Sequence, residues 1–190
     1  MDKILFLHGF NSKGNCSKKQ CLENNLSSYQ FISPDIPTKP IEAVQHIQMV
    51  INQNDISRSD NVYILGCNLG SFYSLYFSEK LNFKCFLIDP IVNPYEMFLN
   101  IIGKHYNWHS NNEVNITRND LDYINLLERK LLSKPLNSNM EVGLNEDDIY
   151  FDSGYEFFKN KYAKIFYYDE PKNTEDLVNK ISTEIFNHFR

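Results

Sequence analysis

A glycine-flanked turn at residues 66–70 carries the most distinctive chemistry of the sequence. It reads Gly-Cys-Asn-Leu-Gly, with Asn68 at its centre, and it lies between an apolar strand-like run and a helical pattern. In a nucleophile elbow, such a strand–turn–helix arrangement presents a central serine held in a left-handed backbone conformation. Asparagine tolerates positive φ, but its amide nitrogen is delocalised into the carbonyl and is not a useful nucleophile. The sequence therefore predicts an elbow that keeps its turn and lacks its nucleophile.

A second glycine-containing loop, His8–Ser12, follows the first predicted strand. An oxyanion hole takes one backbone N–H from a loop in this position and another from the residue after the elbow centre. The predicted donors are therefore the backbone N–H groups of Phe10 and Leu69. His8 could act as a base, but a histidine directly before this glycine is expected to be a structural part of the loop.

Apolar strand-like runs alternate with amphipathic helical stretches along the whole chain. Strands are predicted at Lys3–Leu7, Gln30–Ser33, Asn61–Leu65, Cys85–Ile88, Glu141–Leu144 and Lys164–Tyr168. Helices are predicted at Ser17–Leu26 (with Ser17 as N-cap), 41–51, Leu69–Leu81, Pro94–Ile102, Asp120–Leu132 and Thr174–Phe189. The polar, Asn-rich stretch Gly103–Asn119 is expected to be irregular. This alternation implies right-handed crossovers and a largely parallel sheet covered by helices on both faces, in one domain spanning residues 1–190.

Three segments occur together and in order along the chain. They are Leu7-His8-Gly9-Phe10-Asn11-Ser12, Gly66-x-x-Leu69-Gly70-x-Phe72-Tyr73 and Asp89-Pro90-x-x-x-Pro94-Tyr95-Glu96. With these segments the chain resembles, over essentially its whole length, the YqiA/YcfP-type family of small bacterial α/β-hydrolase esterases. The resemblance implies an α/β-hydrolase fold, with a mostly parallel sheet and helices on both faces, and a Ser-Asp-His catalytic triad.

The serine and acid positions of that implied triad can be located in this sequence. The serine position is Asn68. The acid should follow the strand at Glu141–Leu144, where Asp147 is the preferred candidate and Asp148 and Glu146 are alternatives. The Asn68 side chain is expected to point into the former pocket and to occupy the oxyanion donors.

The histidine position carries no histidine. The resemblance places it in the loop after the last strand, residues 169–174, which reads Asp-Glu-Pro-Lys-Asn-Thr. His188 is the one histidine further along the chain, and a helix beginning near Thr174 would carry it roughly 20 Å away. Loss of the nucleophile or the base typically lowers turnover by a factor on the order of 10⁶.

Other reactive residues offer weaker alternatives. Cys67, one residue before the elbow centre, would point away from the pocket and has no histidine to form its thiolate, so a buried apolar role is expected. His105 and His109 are spaced to share a helical face and bind zinc, but residues 108–112 look like a loop without a third ligand nearby. No metal site and no cofactor site is therefore expected.

Composition narrows the classes of partner. The formal net charge is −5 and the pI is about 5.5, which argues against nucleic acid because phosphate contacts need clustered Lys and Arg. No apolar run approaches the roughly 18–20 residues needed to span a bilayer, and the N-terminus does not resemble a signal peptide. The four cysteines follow no zinc or disulfide pattern. These features predict a cytoplasmic protein.

Three functional hypotheses remain at this point. The first is a catalytically inactive esterase scaffold that binds another protein, for example as an immunity protein that neutralises a basic bacterial toxin domain encoded nearby. The second is an esterase or thioesterase with non-standard catalytic residues, and the third is a non-catalytic small-ligand binder. An aromatic-rich segment at residues 150–168 is consistent either with core packing or with a protein interface.

Overall fold

The computed structural model describes residues 2–56, 62–133, 135–136, 140–161, 163–168 and 174–189. The strands are β1 (Lys3–Leu7), β2 (Gln30–Ile32), β3 (Val62–Cys67), β4 (Lys84–Ile88), β5 (Gly103–Asn107), β6 (Asn112–Ile116), β7 (Met140–Asn145) and β8 (Lys164–Tyr168). The helices are α1 (Ser17–Asn25), α2 (Pro40–Gln53), α3 (Leu69–Leu81), α4 (Pro94–Leu99), α5 (Arg118–Leu132), α6 (Phe151–Phe158) and α7 (Thr174–Phe189).

Six of these strands form one parallel sheet in the order β2-β1-β3-β4-β7-β8. The central strand β3 is buried along its whole length, as expected for a parallel strand with both faces covered. Because the strands run in parallel, their carboxyl ends meet at one edge, and the turn at Asn68 lies at that edge. The predicted parallel sheet is confirmed.

Side chains of successive strand residues alternate between two cores. On β1, Leu5 and Leu7 belong to a core with residues of α2, α3 and α5, whereas Ile4 and Phe6 belong to a core with residues of α1 and α7. This alternation is the period-two geometry of a strand, and it places helices on both faces of the sheet. The predicted α/β architecture is therefore confirmed.

The main local departure from the prediction is at residues 103–116. The structure has an antiparallel hairpin, β5 with β6, where the sequence had suggested an irregular connection. The strands escaped recognition because they are rich in Asn, Lys and Glu, which are depleted in strands, and because few of their residues are buried. Part of the pairing is a cross-strand ion pair, with Lys104 Nζ 2.9 Å from Glu113 Oε1.

Smaller corrections concern helix ends. Helix α1 is N-capped by Cys16, without a side-chain capping bond, so the prediction of Ser17 as N-cap was wrong. Helix α4 ends at Leu99, three residues before the predicted Ile102, because the chain turns through Gly103 at φ 100° to begin the hairpin. Within the described part of the chain, no helix is long and apolar enough to cross a bilayer.

Asp89, directly after β4, joins the carboxyl ends of three strands. Its Oδ1 accepts a hydrogen bond of 2.9 Å from the backbone N–H of Asn145 at the end of β7, and its Oδ2 accepts one from the hydroxyl of Tyr168 at the end of β8. Its own N–H donates to the Gly143 carbonyl at 2.9 Å. Asp89 is 6% exposed, and burial raises its pKa, although the hydrogen bonds from Tyr168 and Asn145 act in the opposite direction.

This raised pKa predicts a pH dependence of stability. A folded-state pKa above the unfolded value of about 3.9 means that the folded protein binds the Asp89 proton more tightly, so its contribution is present at low pH and is lost as pH rises through the folded pKa. The free energy of unfolding of the wild type, relative to that of Asp89→Asn, should therefore fall as the pH rises above the unfolded pKa of about 3.9. Urea denaturation at several pH values measures this difference.

Tyr168→Phe provides a matched comparison, because it removes a hydrogen bond that favours the ionised carboxylate and leaves the ring in place. Its destabilising effect should be larger at pH 7 than at pH 4. A difference between the wild type and Asp89→Asn that does not change with pH would contradict this description of Asp89.

Candidate functional site

The predicted elbow is present between β3 and α3. Asn68 has φ 49° and ψ −115°, in the positive-φ region that asparagine tolerates better than most residues. Its glycine neighbours are needed for close packing: a Cβ on Gly70 would overlap the Leu7 carbonyl, and one on Gly66 would overlap Ser71 and Ser74. The sharp turn therefore has the geometry of an elbow, with a carboxamide at its centre.

Asn68 is half-buried. Its carboxamide is directed toward the loop His8–Ser12, which is called the oxyanion loop below because it carries the predicted Phe10 donor. Its Nδ2 donates to the Asp89 carbonyl over a long 3.4 Å, and its Oδ1 lies 3.2 Å from the position that a Cβ on Gly9 would take. Among the residues described, this carboxamide makes no hydrogen bond to the backbone N–H of Phe10 or of Leu69. The side chain thus sits beside the loop and leaves both predicted oxyanion donors uncapped.

Phe10 and Leu69, whose N–H groups are the predicted donors, line one cleft. Phe10 comes from the loop after β1, and Leu69 is the first residue of α3, where unpaired N–H groups and the helix dipole favour electron-rich groups. The structure therefore brings together two residues that are 59 positions apart in the sequence. That cleft is the candidate functional site.

His8 contributes to the cleft wall as a buried, neutral side chain. Its Nδ1 hydrogen-bonds the Gly9 carbonyl at 2.8 Å, and its Nε2 accepts the Ile36 N–H at 2.8 Å, which fixes the tautomer with the proton on Nδ1. Burial lowers its pKa. With both ring nitrogens occupied, His8 holds the loop after β1 against the segment that follows β2, in line with the structural role expected from sequence.

Cys67 is buried on the opposite side of the turn. Its side chain belongs to the core that contains α1 and α7, and burial raises the pKa of its thiol to about 12. A thiol with this pKa is protonated at neutral pH and is a poor nucleophile. Cys85 is likewise buried, with a pKa raised to about 12.

The carboxylates expected after β7 lie toward solvent. Asp147 and Glu146 are exposed, and the backbone N–H of Asp147 donates to Asn145 Oδ1 at 3.0 Å. Asp148 is half-buried, and its Oδ1 accepts the Tyr150 N–H at 2.8 Å. No hydrogen bond connects these three side chains to the elbow within the described residues.

Asp89 is the buried carboxylate nearest to Asn68 along the hydrogen-bond network, and sequence reasoning did not select it. The available signal was its place directly after β4, since β3 and β4 are neighbours in a parallel sheet and their carboxyl ends lie together. In the loop where the triad histidine was predicted to lie, residues 169–173 are outside the described residues. Helix α7 begins at Thr174, so His188 is about 20 Å along it, as expected.

The hairpin β5–β6 packs against the mouth of the cleft. His105 Nε2 lies 3.0 Å from Asn11 Nδ2, and the His105 ring contacts that of Phe10 with 5.0 Å between centroids. Asn107 Nδ2 donates to Thr38 Oγ1 at 2.9 Å. Because His105 is on a strand, it cannot share a helical face with His109, and no cluster of three metal-ligating side chains occurs in the ranges that the structure describes.

The aromatic residues of the segment 150–168 are mostly used for packing. Phe158 and Tyr168 are buried, and Phe151, Tyr155 and Phe157 pack against the core, whereas Tyr167 is 44% exposed. Tyr162, which belongs to the same aromatic-rich segment, lies outside the described residues. The hairpin β5–β6 also exposes two aromatic rings, Trp108 and Tyr106.

Trp108 is 76% exposed and Tyr106 is 39% exposed. Their rings meet edge to face with 4.8 Å between centroids. Indole and phenol rings in such exposed positions are typical contact residues of protein interfaces. No sequence pattern had pointed to these two residues.

The architecture is shared with solved α/β-hydrolase structures at low sequence identity. Est1E from Butyrivibrio proteoclasticus, solved with ferulic acid bound, superposes with a TM-score of 0.75 at 10% identity, covering 98% of this chain and 89% of that one. The monoacylglycerol lipase of Paleococcus ferrophilus gives 0.71 at 11% identity, with 98% and 94% coverage. The fluorophosphonate-binding serine hydrolase FphF of Staphylococcus aureus gives 0.67 at 13% identity, with 98% and 82% coverage.

A family model supplies the closer relationship. It matches residues 3–166, which include the oxyanion loop, the elbow and the Asp89 segment, and it is described as an uncharacterised protein family (UPF0227). This match confirms the resemblance to YqiA/YcfP-type esterases. The chain belongs to the UPF0227 family and has the α/β-hydrolase fold.

Proposed function

We propose that this chain is a non-hydrolytic member of its esterase-like family and acts by binding another protein. The observation that carries the proposal is the elbow centre, where Asn68 has the backbone geometry of a nucleophile but a carboxamide side chain. The two other candidate groups near it do not replace serine. Cys67 is buried as a thiol, and His8 has both ring nitrogens occupied.

The energetics support this reading of the elbow. Removing the nucleophile from a serine hydrolase costs on the order of 10⁶ in turnover, or about 8 kcal/mol of barrier. Oxyanion donors and substrate binding alone retain roughly 10³–10⁴ over the uncatalysed reaction. A scaffold with this site would stabilise the geometry of an acyl ligand without forming an acyl-enzyme.

The hairpin supports a protein as the partner. Trp108 and Tyr106 expose a paired aromatic surface beside the cleft, and such residues bury a large area with little loss of rotamer entropy. The net charge of −5 favours a basic partner through electrostatic steering. The exposed aromatic pair and the negative charge fit one form of this proposal, in which the chain binds and neutralises a basic bacterial toxin domain encoded nearby.

The proposal predicts no ester turnover. With p-nitrophenyl butyrate, the purified chain should release p-nitrophenol no faster than buffer with an equal concentration of an unrelated protein. Asn68→Ser should remain inactive, because a serine without a general base is not activated. An active serine esterase of the same fold is the positive control. Turnover by the wild type that Asn68→Ala abolishes would overturn the proposal and favour an esterase with non-standard residues.

The proposal of a protein partner predicts a stable complex. Co-expression with the product of the adjacent gene should yield a complex on size-exclusion chromatography, and Trp108→Ala should weaken it at least tenfold if Trp108 is an interface anchor. Tyr167→Ala is the matched control, since Tyr167 is an exposed aromatic residue on β8. Equal weakening by both variants, or a complex insensitive to Trp108→Ala, would contradict the assignment of the hairpin surface.

A further inference from the structure

A groove lies near the end of helix α3 that is remote from the elbow. It is formed by side chains from the last turns of α3, the end of α5 and Leu136, and its volume is about 410 Å³. Small-molecule sites have volumes of roughly 300–1,000 Å³, so this groove has room for a ligand. Lys80 is 11 positions after Leu69, which places it about 16 Å along α3 from the elbow. We call it the α3–α5 groove.

One wall of the α3–α5 groove follows from the helical period of α3. Tyr76, Glu79 and Lys80 are spaced i, i+3 and i+4, so they project from the same side of the helix. Lys80 Nζ donates to Gln48 Oε1 at 2.7 Å and lies 6.0 Å from the centroid of the Tyr76 ring. These contacts place a positive charge beside an aromatic ring at this wall.

The other wall combines apolar side chains with a second positive charge. Leu131, near the end of α5, is 6% exposed and belongs to the core between the sheet and the helices α2, α3 and α5. Leu136 is half-buried and packs against the same core. Lys130, directly before Leu131, is exposed to solvent. The groove therefore joins apolar surface to two ammonium groups from different helices.

The charges of the lining favour a ligand with one negative charge. Two lysines and one glutamate line the groove among the residues that the structure describes, whereas the whole chain has a net charge of −5. An anionic group between Lys80 and Lys130 gains attraction from both, and the Tyr76 hydroxyl can donate to it. A carboxylate carries one negative charge and matches this lining. A phosphate monoester carries about −1.5 to −2 and would be repelled more strongly by Glu79.

The two lysines also have a structural use. Each lies in the last turn of its helix, where a positive charge is favourable to the helix dipole. That effect acts on the stability of the protein and needs no cavity beside the lysines. Binding and stability must therefore be measured separately in the same variants.

We propose that the α3–α5 groove is a second binding site, which takes a small carboxylate with an apolar body. The carboxylate lies between Lys80 and Lys130, and the apolar body packs against Leu131 and Leu136. This inference goes beyond the proposed function and does not depend on it, because none of the described residues that line the groove belongs to the elbow.

Three probes with the same six-carbon chain test the charge and the place of binding: hexanoate, hexan-1-ol and hexylamine. In titrations of protein with ¹³C-labelled leucine methyl groups, hexanoate should bind with millimolar affinity and shift the signals of Leu131 and Leu136. The methyl signals of Leu69 at the elbow should not move. Hexan-1-ol should bind about threefold or more weakly than hexanoate, and hexylamine more weakly still. Binding of hexylamine as tight as that of hexanoate would overturn the assignment of an anionic ligand.

Lys130→Gln removes one of the two charges at an exposed position. It should weaken hexanoate binding about two- to fivefold, the usual effect of a partly exposed ion pair, and should leave hexan-1-ol binding unchanged. Lys104→Gln is the matched control, because Lys104 is an exposed lysine on the hairpin and does not line the groove. A lower melting temperature of Lys130→Gln with unchanged hexanoate affinity would show a purely structural lysine and would overturn the proposal.

Glu79→Gln tests the opposite sign. Removal of the one negative charge among the described lining residues should tighten hexanoate binding by up to about fivefold. Weaker hexanoate binding in Glu79→Gln than in the wild type would contradict the placement of the carboxylate in this groove.

The outcomes for this site and for the proposed function are distinguishable. Absence of any shift at Leu131 and Leu136 up to about 50 mM hexanoate would overturn the site and would leave the absence of hydrolysis standing. Ester hydrolysis by the purified chain would contradict the proposed function, and the α3–α5 groove would still be judged on hexanoate binding alone.

Discussion

The hydrogen bonds of one buried carboxylate determine how the functional edge of the sheet is assembled. Asp89 receives an N–H from β7 and a hydroxyl from β8, and its own carbonyl accepts the amide of Asn68. The backbone at Asp89 has φ 45°, an unusual conformation that these contacts hold in place. Three strands and the elbow are thus fixed relative to one another by contacts of a single residue. Because the cleft walls extend from this edge, their geometry depends on the same junction.

Close backbone packing maintains the elbow independently of any chemistry. Gly66 and Gly70 are required because a Cβ at either position would overlap neighbouring atoms, and Asn68 fits the left-handed turn. These constraints act on folding, so they hold the elbow in shape with a carboxamide at its centre. On this account the scaffold retains oxyanion donors that can bind a carbonyl oxygen, next to a hairpin that exposes Trp108. Under the proposed function, binding replaces turnover as the use of the site.

The sequence was sufficient where apolar residues are concentrated between clear boundaries. Strand β1, helix α3 and helix α7 have the predicted bounds. Strand β1 is a continuous apolar run after Lys3, α3 is a largely buried apolar segment that begins at the elbow, and the apolar residues of α7 recur at helical spacing. It was insufficient for the hairpin β5–β6, where polar residues of low strand propensity pair. The partners of Asp89 are 56 and 79 positions away, and the α3–α5 groove joins Lys80 to Lys130, 50 positions further along the chain. Neither of these features leaves a local pattern in the sequence.

The central claim is that no residue of this chain acts as an activated nucleophile. A fluorophosphonate probe tests it directly, because such reagents phosphonylate activated serine residues irrespective of the preferred substrate. Intact-mass spectrometry after incubation should show the unmodified mass, while a serine esterase of the same fold, treated in parallel, gains one adduct. An adduct on the folded chain that is absent from a heat-denatured sample would contradict the account, and peptide mapping would then identify the nucleophile.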